Sequence, residues 1–235
     1  MRNPFVLRAL VLMIIFFLMN FFALPSAKSY ANSPIKVITH TYNGIKFLTY
    51  PQVTDLKNKS AQKKINAMLE KHIQNSHNDY QKLKESMKKI QGEPLCNEAP
   101  SACQYEYNSI YKVLYNKDHK ISILMNDYQF SGGAHGNTIV TTYNFNTDNG
   151  KQYRLDDIIT KESIYAKITT YAKEYIKMHP DVFFTDNDTL NAFQVTKDHA
   201  FYFVDGGIAL IFQSYEVAPY SSGQPVIVIP TSIYK

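Results

Sequence analysis

Few stretches of this 235-residue chain carry side chains whose types and spacing suit chemistry. Ser131-Gly132-Gly133-Ala134-His135-Gly136 has the glycines of a phosphate-cradling loop. A phosphate loop of that kind also needs a Lys-Ser/Thr pair opening a helix, whereas strand-type residues follow here. Three glycines between strands fit a β-bulge or a close backbone approach better. His135 has no second His or Cys beside it, so it reads as a hydrogen-bonded structural or surface histidine rather than a base or a ligand. Asp186-Asn187-Asp188 opens like a calcium loop but lacks the Gly and the closing Glu, which leaves a polar turn. Asp156-Asp157 precedes a helix, where carboxylates complement the dipole. Glu216 and Asp205 are the acids a hydrolase would use as a glycosidase pair, and no G-x-S-x-G nucleophile motif is present. The expectation is therefore no catalytic residue, no cofactor and no metal site, with a cell-envelope carbohydrate-active hydrolase as the alternative.

The two cysteines, Cys96 and Cys103, are separated by six residues that include Pro100. An even count in an exported chain predicts one disulfide, and zinc would need further ligands nearby. The chain has 18 Tyr and no Trp. Most tyrosines fall on strand or helix stripes, but Tyr220 lies in Ala218-Pro219-Tyr220-Ser221-Ser222-Gly223. An aromatic among small polar residues on a turn-rich loop has the composition of a protein-binding surface. The equal alternative is that Tyr220 folds back onto the sheet.

The elements that must position these residues follow from periodicity. From Ile35 to Tyr50 apolar residues alternate around Asn43-Gly44, which predicts a hairpin. Between residues 61 and 90, Ile65, Met68, Leu69, Ile73, Tyr80, Leu83, Met87 and Ile90 recur at steps of three and four, the stripe of a long amphipathic helix. Period two returns from Tyr105 to Tyr115, from Ile121 to Met125 and from Ile139 to Phe145, a three-stranded meander. A second helix starts near Thr160, its N-cap, and Pro180 stops it. Three strands close the chain, at 201–204, 208–212 and 225–229. Hairpin turns rather than βαβ crossovers give an α+β class of antiparallel sheet meanders with two packed helices. The length leaves room for two small lobes meeting near Cys96.

The N-terminus is a targeting segment. Nineteen uncharged residues separate Arg8 from Lys28, after a short basic region. Small residues at Ser29-Tyr30-Ala31 place signal-peptide cleavage after Ala31. The expected organisation is a signal peptide at 1–31, a hairpin plus long helix at 32–95, and an α+β domain at 96–235. The protein is then secreted or extracytoplasmic, and membrane-anchored only if the segment stays uncleaved. Arg2, Arg8 and Lys28 sit in that segment, so the formal charge of +5 falls to +2 without them, which removes the electrostatic case for nucleic acid.

Tyr128-Gln129-Phe130-Ser131-Gly132-Gly133-Ala134-His135-Gly136-Asn137 is followed by Tyr143-Asn144-Phe145, Gly150-Lys151 and Leu155-Asp156-Asp157, and then by Tyr215-Glu216-Val217-Ala218-Pro219-Tyr220 through Gly223. This order of motifs resembles the extracytoplasmic domain of RsiV-type anti-sigma factors, a domain also found before peptidoglycan deacetylase domains. Tyr50-Pro51-Gln52-Val53 and Ile65-Asn66 are similar to the smaller domain that precedes it. The resemblance implies an α+β module that binds lysozyme, or a cell-wall ligand such as peptidoglycan. Its ligand-binding candidates are Pro219, Tyr220, Ser221, Ser222 and Gly223, with Ser131 and His135. Only eight residues precede the apolar segment and the last strand ends close to Lys235, so a stand-alone, non-enzymatic binding module without the sigma-binding or deacetylase part is expected.

Overall fold

The structure, a computed structural model, describes residues 34–235; the expected signal peptide and its cleavage site lie outside the described residues. Strands β1 (Lys36–Tyr42) and β2 (Ile45–Thr54) form the first hairpin. Asn43 and Gly44 sit at φ 50° and 73°, the left-handed pair a tight two-residue turn requires. Helix α1 (Lys59–Ile90) starts two residues before the expected stripe because Asn58 caps it, its side-chain oxygen accepting from the amides of Ser60 and Ala61 at 3.0 and 3.1 Å. After α1 come a short helix α2 (Pro94–Glu98) and a 3₁₀ turn (Pro100–Cys103). Cys96 and Cys103 are disulfide-bonded across them, Cα to Cα 5.5 Å, where the helix hands over to a strand.

Strands β3 (Tyr105–Lys117), β4 (Lys120–Ser131) and β5 (Asn137–Asn146) are the meander. With the hairpin they make a five-stranded sheet in the order β1-β2-β3-β4-β5. One pairing departs from the all-hairpin expectation. β2 and β3 run parallel, meeting at Leu48 and Ser109, because α1 is itself the crossover between them. Its apolar stripe buries Ile65, Leu69 and Ile73 against Leu48, Val53, Ile121, Ile123, Met125 and Phe145. At roughly 1.5–3 kcal/mol for each fully buried aliphatic side chain, this stripe rather than helix propensity holds α1 in place.

The remaining third builds a second layer. Helix α3 (Leu155–Ile158) uses the acids expected at a helix start: the Asp157 carboxylate accepts from the Arg154 amide at 2.9 Å. Helix α4 (Glu162–Met178) follows with Lys161, not Thr160, at its N-cap and no side-chain cap bond. The expected cap thus lies one residue too early, because α3 takes up the preceding turn. Asp186 is more than a polar turn, since it caps a further helix α5 (Asn187–Ala192) by accepting from the Thr189 amide at 2.8 Å. Strands β6 (Phe201–Val204), β7 (Gly207–Ile211) and β8 (Val226–Pro230) form a three-stranded antiparallel sheet, and α6 (Thr231–Tyr234) ends the chain. Ile168, Ala172 and Ile176 of α4 share its core with Phe201, Ile208, Leu210, Ile227 and Ile229.

A buried polar rivet joins the two sheets. Ser122 Oγ donates to Asn144 Oδ1 at 2.7 Å and accepts from the Phe203 amide at 3.1 Å, while Asn144 Nδ2 donates to the Phe201 carbonyl at 2.7 Å. Every member is satisfied, so the rivet fixes the register of β6 on β4 and β5 without leaving an unpaired buried group.

Candidate functional site

The two segments singled out for ligand contact are 84 residues apart in sequence at their nearest members, His135 and Pro219, and meet in space. The glycine loop joins β4 to β5. Gly132 and Gly133 take φ 86° and 101°, and a side chain at Gly136 would enter the Tyr128 ring, so backbone geometry accounts for these glycines. The second segment, residues 213–224, leaves the end of β7 and is held at both ends. Gln213 clamps the free edge of β5: its Oε1 accepts from the Val140 amide at 3.0 Å and its Nε2 donates to the Val140 carbonyl at 2.8 Å. Further along, Ser222 Oγ donates to the Val182 carbonyl at 2.8 Å, and Tyr220–Ser222 form a single 3₁₀ turn closed by Gly223 at φ 63°.

Between these anchors three rings assemble. His135 and Tyr220 stack with centroids 3.9 Å apart and planes 18° from parallel, and Tyr215 lies beside both, its ring 5.9 Å from that of Tyr220 and 6.1 Å from that of His135. His135 Nδ1 lies 2.9 Å from the Gly136 carbonyl, which can only accept, so the hydrogen is assigned to Nδ1. Nε2 is then an acceptor, 3.1 Å from the Tyr215 hydroxyl that donates to it. Tyr215 is 56% exposed and holds φ 67°, a left-handed backbone rare outside glycine that the loop anchors maintain. Tyr220 is neither free in solvent nor folded into the sheet core; it is half-buried against an imidazole. Of the expected residues, His135, Pro219, Tyr220, Ser221, Ser222 and Gly223 belong to this cluster, and Ser131 lies at the neighbouring strand end. Tyr215 escaped the reading as a candidate, although its Tyr-Glu-Val sequence was part of a recognised motif.

A cleft of about 520 Å³ opens beside the stack, with His135 on its rim. It lies between α1 and one face of β3, β4 and β5, in continuation of the first core. Along β4 the inward positions change from Ile121, Ile123 and Met125, all fully buried, to Asp127, Gln129 and Ser131. Their neighbours on β5 are Thr141 beside Met125, Ile139 beside Asp127 and Asn137 beside Gln129. The facing turn of α1 becomes polar over the same distance, at His72, Asn75, Ser76 and Asp79.

The floor of the cleft is a closed network. His72 Nε2 pairs with Asp127 Oδ2 at 2.8 Å, Ser76 Oγ donates to Asp127 Oδ1 at 2.8 Å, and the Tyr143 hydroxyl lies 3.1 Å from His72 Nδ1. Burial pushes the Asp127 carboxyl up, but the bond to His72 and its charge outweigh that and hold it below the usual carboxylate range. Burial first, and the Asp127 charge second, raise the phenols of Tyr107 and Tyr143, which therefore stay protonated. Both imidazole nitrogens and the serine proton are committed, so Ser76 and His72 do not form a hydroxyl–imidazole pair of the kind that activates a nucleophile. The sequence offered one signal for this network: inward positions of a strand turning polar where a core was expected to continue.

The other acids are placed elsewhere. Asp205, in the β6–β7 turn, ion-pairs with Lys117, and Glu216 accepts from the Gln213 amide at 2.8 Å. Among the described residues no three His, Cys, Asp or Glu side chains come together as a metal-binding group. Among the same residues no helix is long and apolar enough to cross a membrane.

Two family models match, the deacetylase PdaC model over residues 41–138 and a protein of unknown function, DUF3298, over residues 156–232. The aromatic stack therefore joins a residue of the first segment, His135, to two of the second, Tyr215 and Tyr220. The peptidoglycan-N-acetylmuramic acid deacetylase PdaC of Bacillus subtilis (strain 168) is 28% identical over 141 residues, which are 55% of this chain and 28% of that protein. The chain thus spans little more than a quarter of the deacetylase's length. The uncharacterized protein YxiT of the same organism is 39% identical over 69 residues, 29% of this chain and 86% of YxiT. Crystal structures of DUF3298 family members share the fold. One, from Bacteroides fragilis NCTC 9343, has a TM-score of 0.60 at 17% identity and covers 86% of this chain and 90% of its own. Another, from Pseudomonas aeruginosa PAO1, has a TM-score of 0.53 at 18% identity and covers 86% of this chain and 93% of its own.

Proposed function

We propose that this chain, which belongs to the same family as YxiT, is an exported, non-enzymatic binding module of the bacterial cell envelope that seats a protein such as lysozyme on the Tyr215–Tyr220–His135 stack. One observation carries the reading: two loops 80 residues apart in sequence are clamped so that three rings form a preassembled, partly exposed surface. Rings held in this way lose little conformational freedom on association, which is the property of an interface anchor. The resemblance to RsiV-type extracytoplasmic domains supports lysozyme as the ligand. The segment shared with a peptidoglycan deacetylase and the disulfide support a place outside the cytoplasm.

Truncating a buried interface aromatic commonly costs about 2 kcal/mol or more. Tyr220→Ala is therefore expected to weaken lysozyme binding at least tenfold, about 1.4 kcal/mol, with little change in the melting curve, because Tyr220 packs on a loop residue rather than in either core. Calorimetric titration of wild type and variant against lysozyme is the test. Equal binding by the two proteins removes the stack as the site, and no binding by wild type removes lysozyme as the ligand.

A further inference from the structure

We propose that the cleft between α1 and the β4–β5 face is a binding site for a short, uncharged saccharide, separate from the aromatic stack at its rim. The cleft's volume of about 520 Å³ lies within the range of ~300–1,000 Å³ usual for small-molecule sites. Its walls belong to a helix and a sheet that are packed on one core, so the site is rigid before any ligand arrives.

The lining selects the ligand chemistry. No Lys or Arg faces the cleft, which leaves nothing to hold a phosphate or carboxylate. The two carboxylates present are already engaged within the protein, Asp127 by His72 and Ser76 at 2.8 Å each and Asp79 by Lys82 at 2.8 Å, so neither stands as an unpartnered anion for a cationic ligand. An apolar ligand would desolvate the amides and hydroxyls of the walls without compensating them. What remains are Asn75, Gln129 and Asn137, whose side-chain amides have no hydrogen-bond partner among the described residues. Each offers a donor and an acceptor side by side, the pattern that adjacent hydroxyls of a sugar ring satisfy. Gln129 and Asn137 stand opposite each other across the β4–β5 ladder, so two such amides are presented together on one face. Beneath them the phenols of the buried Tyr107 and the half-buried Tyr143, both raised by burial, remain neutral hydroxyls, and the Tyr143 ring adds apolar surface of the kind sugar rings pack against.

The test is calorimetric titration of the full chain with chitobiose, cellobiose and maltose, and with inorganic phosphate as the ionic control. Saturable binding of at least one disaccharide and none of phosphate is expected. Gln129→Ala combined with Asn137→Ala should weaken that binding at least tenfold at an unchanged melting temperature, since both side chains are exposed and contribute nothing to the core. The same double variant should still bind lysozyme, whereas Tyr220→Ala should retain the disaccharide, so the fate of this proposal is read independently of the protein-binding one. It is overturned if none of the three disaccharides gives saturable heat, if phosphate binds instead, or if the double variant binds as wild type does.

Discussion

Asp127→Asn separates the charge of the cleft floor from its shape. The carboxylate accepts from His72 and Ser76 at 2.8 Å each, with the Tyr107 hydroxyl at 3.5 Å, and its side chain is only 15% exposed, so solvent screens it little. Asparagine keeps the volume and one oxygen for His72. Its NH₂ group then meets Ser76 Oγ, which can turn its own proton to the His72 carbonyl 3.2 Å away. The network survives without its charge. Bonds to a charged acceptor are worth about 1.5–3 kcal/mol against about 1 kcal/mol for neutral ones, so two converted bonds cost about 2 kcal/mol. For a chain of this length that is a fall in melting temperature of about 4–8 °C. The cost depends on pH with a definite sign. Because the folded-state pKa of Asp127 is depressed, its contribution is fully present above the unfolded value of about 3.9 and is lost as pH falls through the lower folded value. Asparagine has no proton to take up, so the stability gap between wild type and variant should be full at about pH 7 and smaller at about pH 3, closing only once pH is below the folded-state value of Asp127. Urea unfolding of both proteins at the two pH values measures it. A gap below about 0.5 kcal/mol at neutral pH, or one of equal size at both pH values, refutes the charge-assisted network.

Two further outcomes test the fold around the sites. Gly150→Ala should destabilise far more than Gly133→Ala by thermal melting: both residues have positive φ, but a Cβ at Gly150 would sit 2.9 Å from the Ala61 Cα and carbonyl oxygen in the first turn of α1, whereas Gly133 faces open space. The open position should cost only the conformational strain of about 1–2 kcal/mol. Replacing Cys96 and Cys103 together by Ser should cost about 2 kcal/mol, the low end expected for so short a closed loop, and leave lysozyme binding unchanged; a loss of the fold would show that the bridge does more than set the step from α1 to β3.

The sequence by itself determined what local interactions determine. Asn43-Gly44 specified the first hairpin because few dipeptides accept two left-handed residues. The stripe from Ile65 to Ile90 specified α1, and the alternation after Cys103 specified the meander, because a face that must be buried prints its period on the chain. The disulfide was legible from two cysteines with no rival partner. Tertiary structure decided the rest. Periodicity says which residues share a face but not what lies against that face, so nothing local revealed that α1 would carry β2 into a parallel pairing with β3. For the same reason Asp127 showed no sign of its partner His72, 55 residues earlier on a different element. The inward face of β4 reads as a core until Met125, and only the packing of α1 over Asp127, Gln129 and Ser131 makes its polar end a cleft. His135 and Tyr220 were each legible as residue types on loops. Their stacking depends on Gln213 gripping the edge of β5 through Val140, a contact spanning 73 residues that no local pattern encodes.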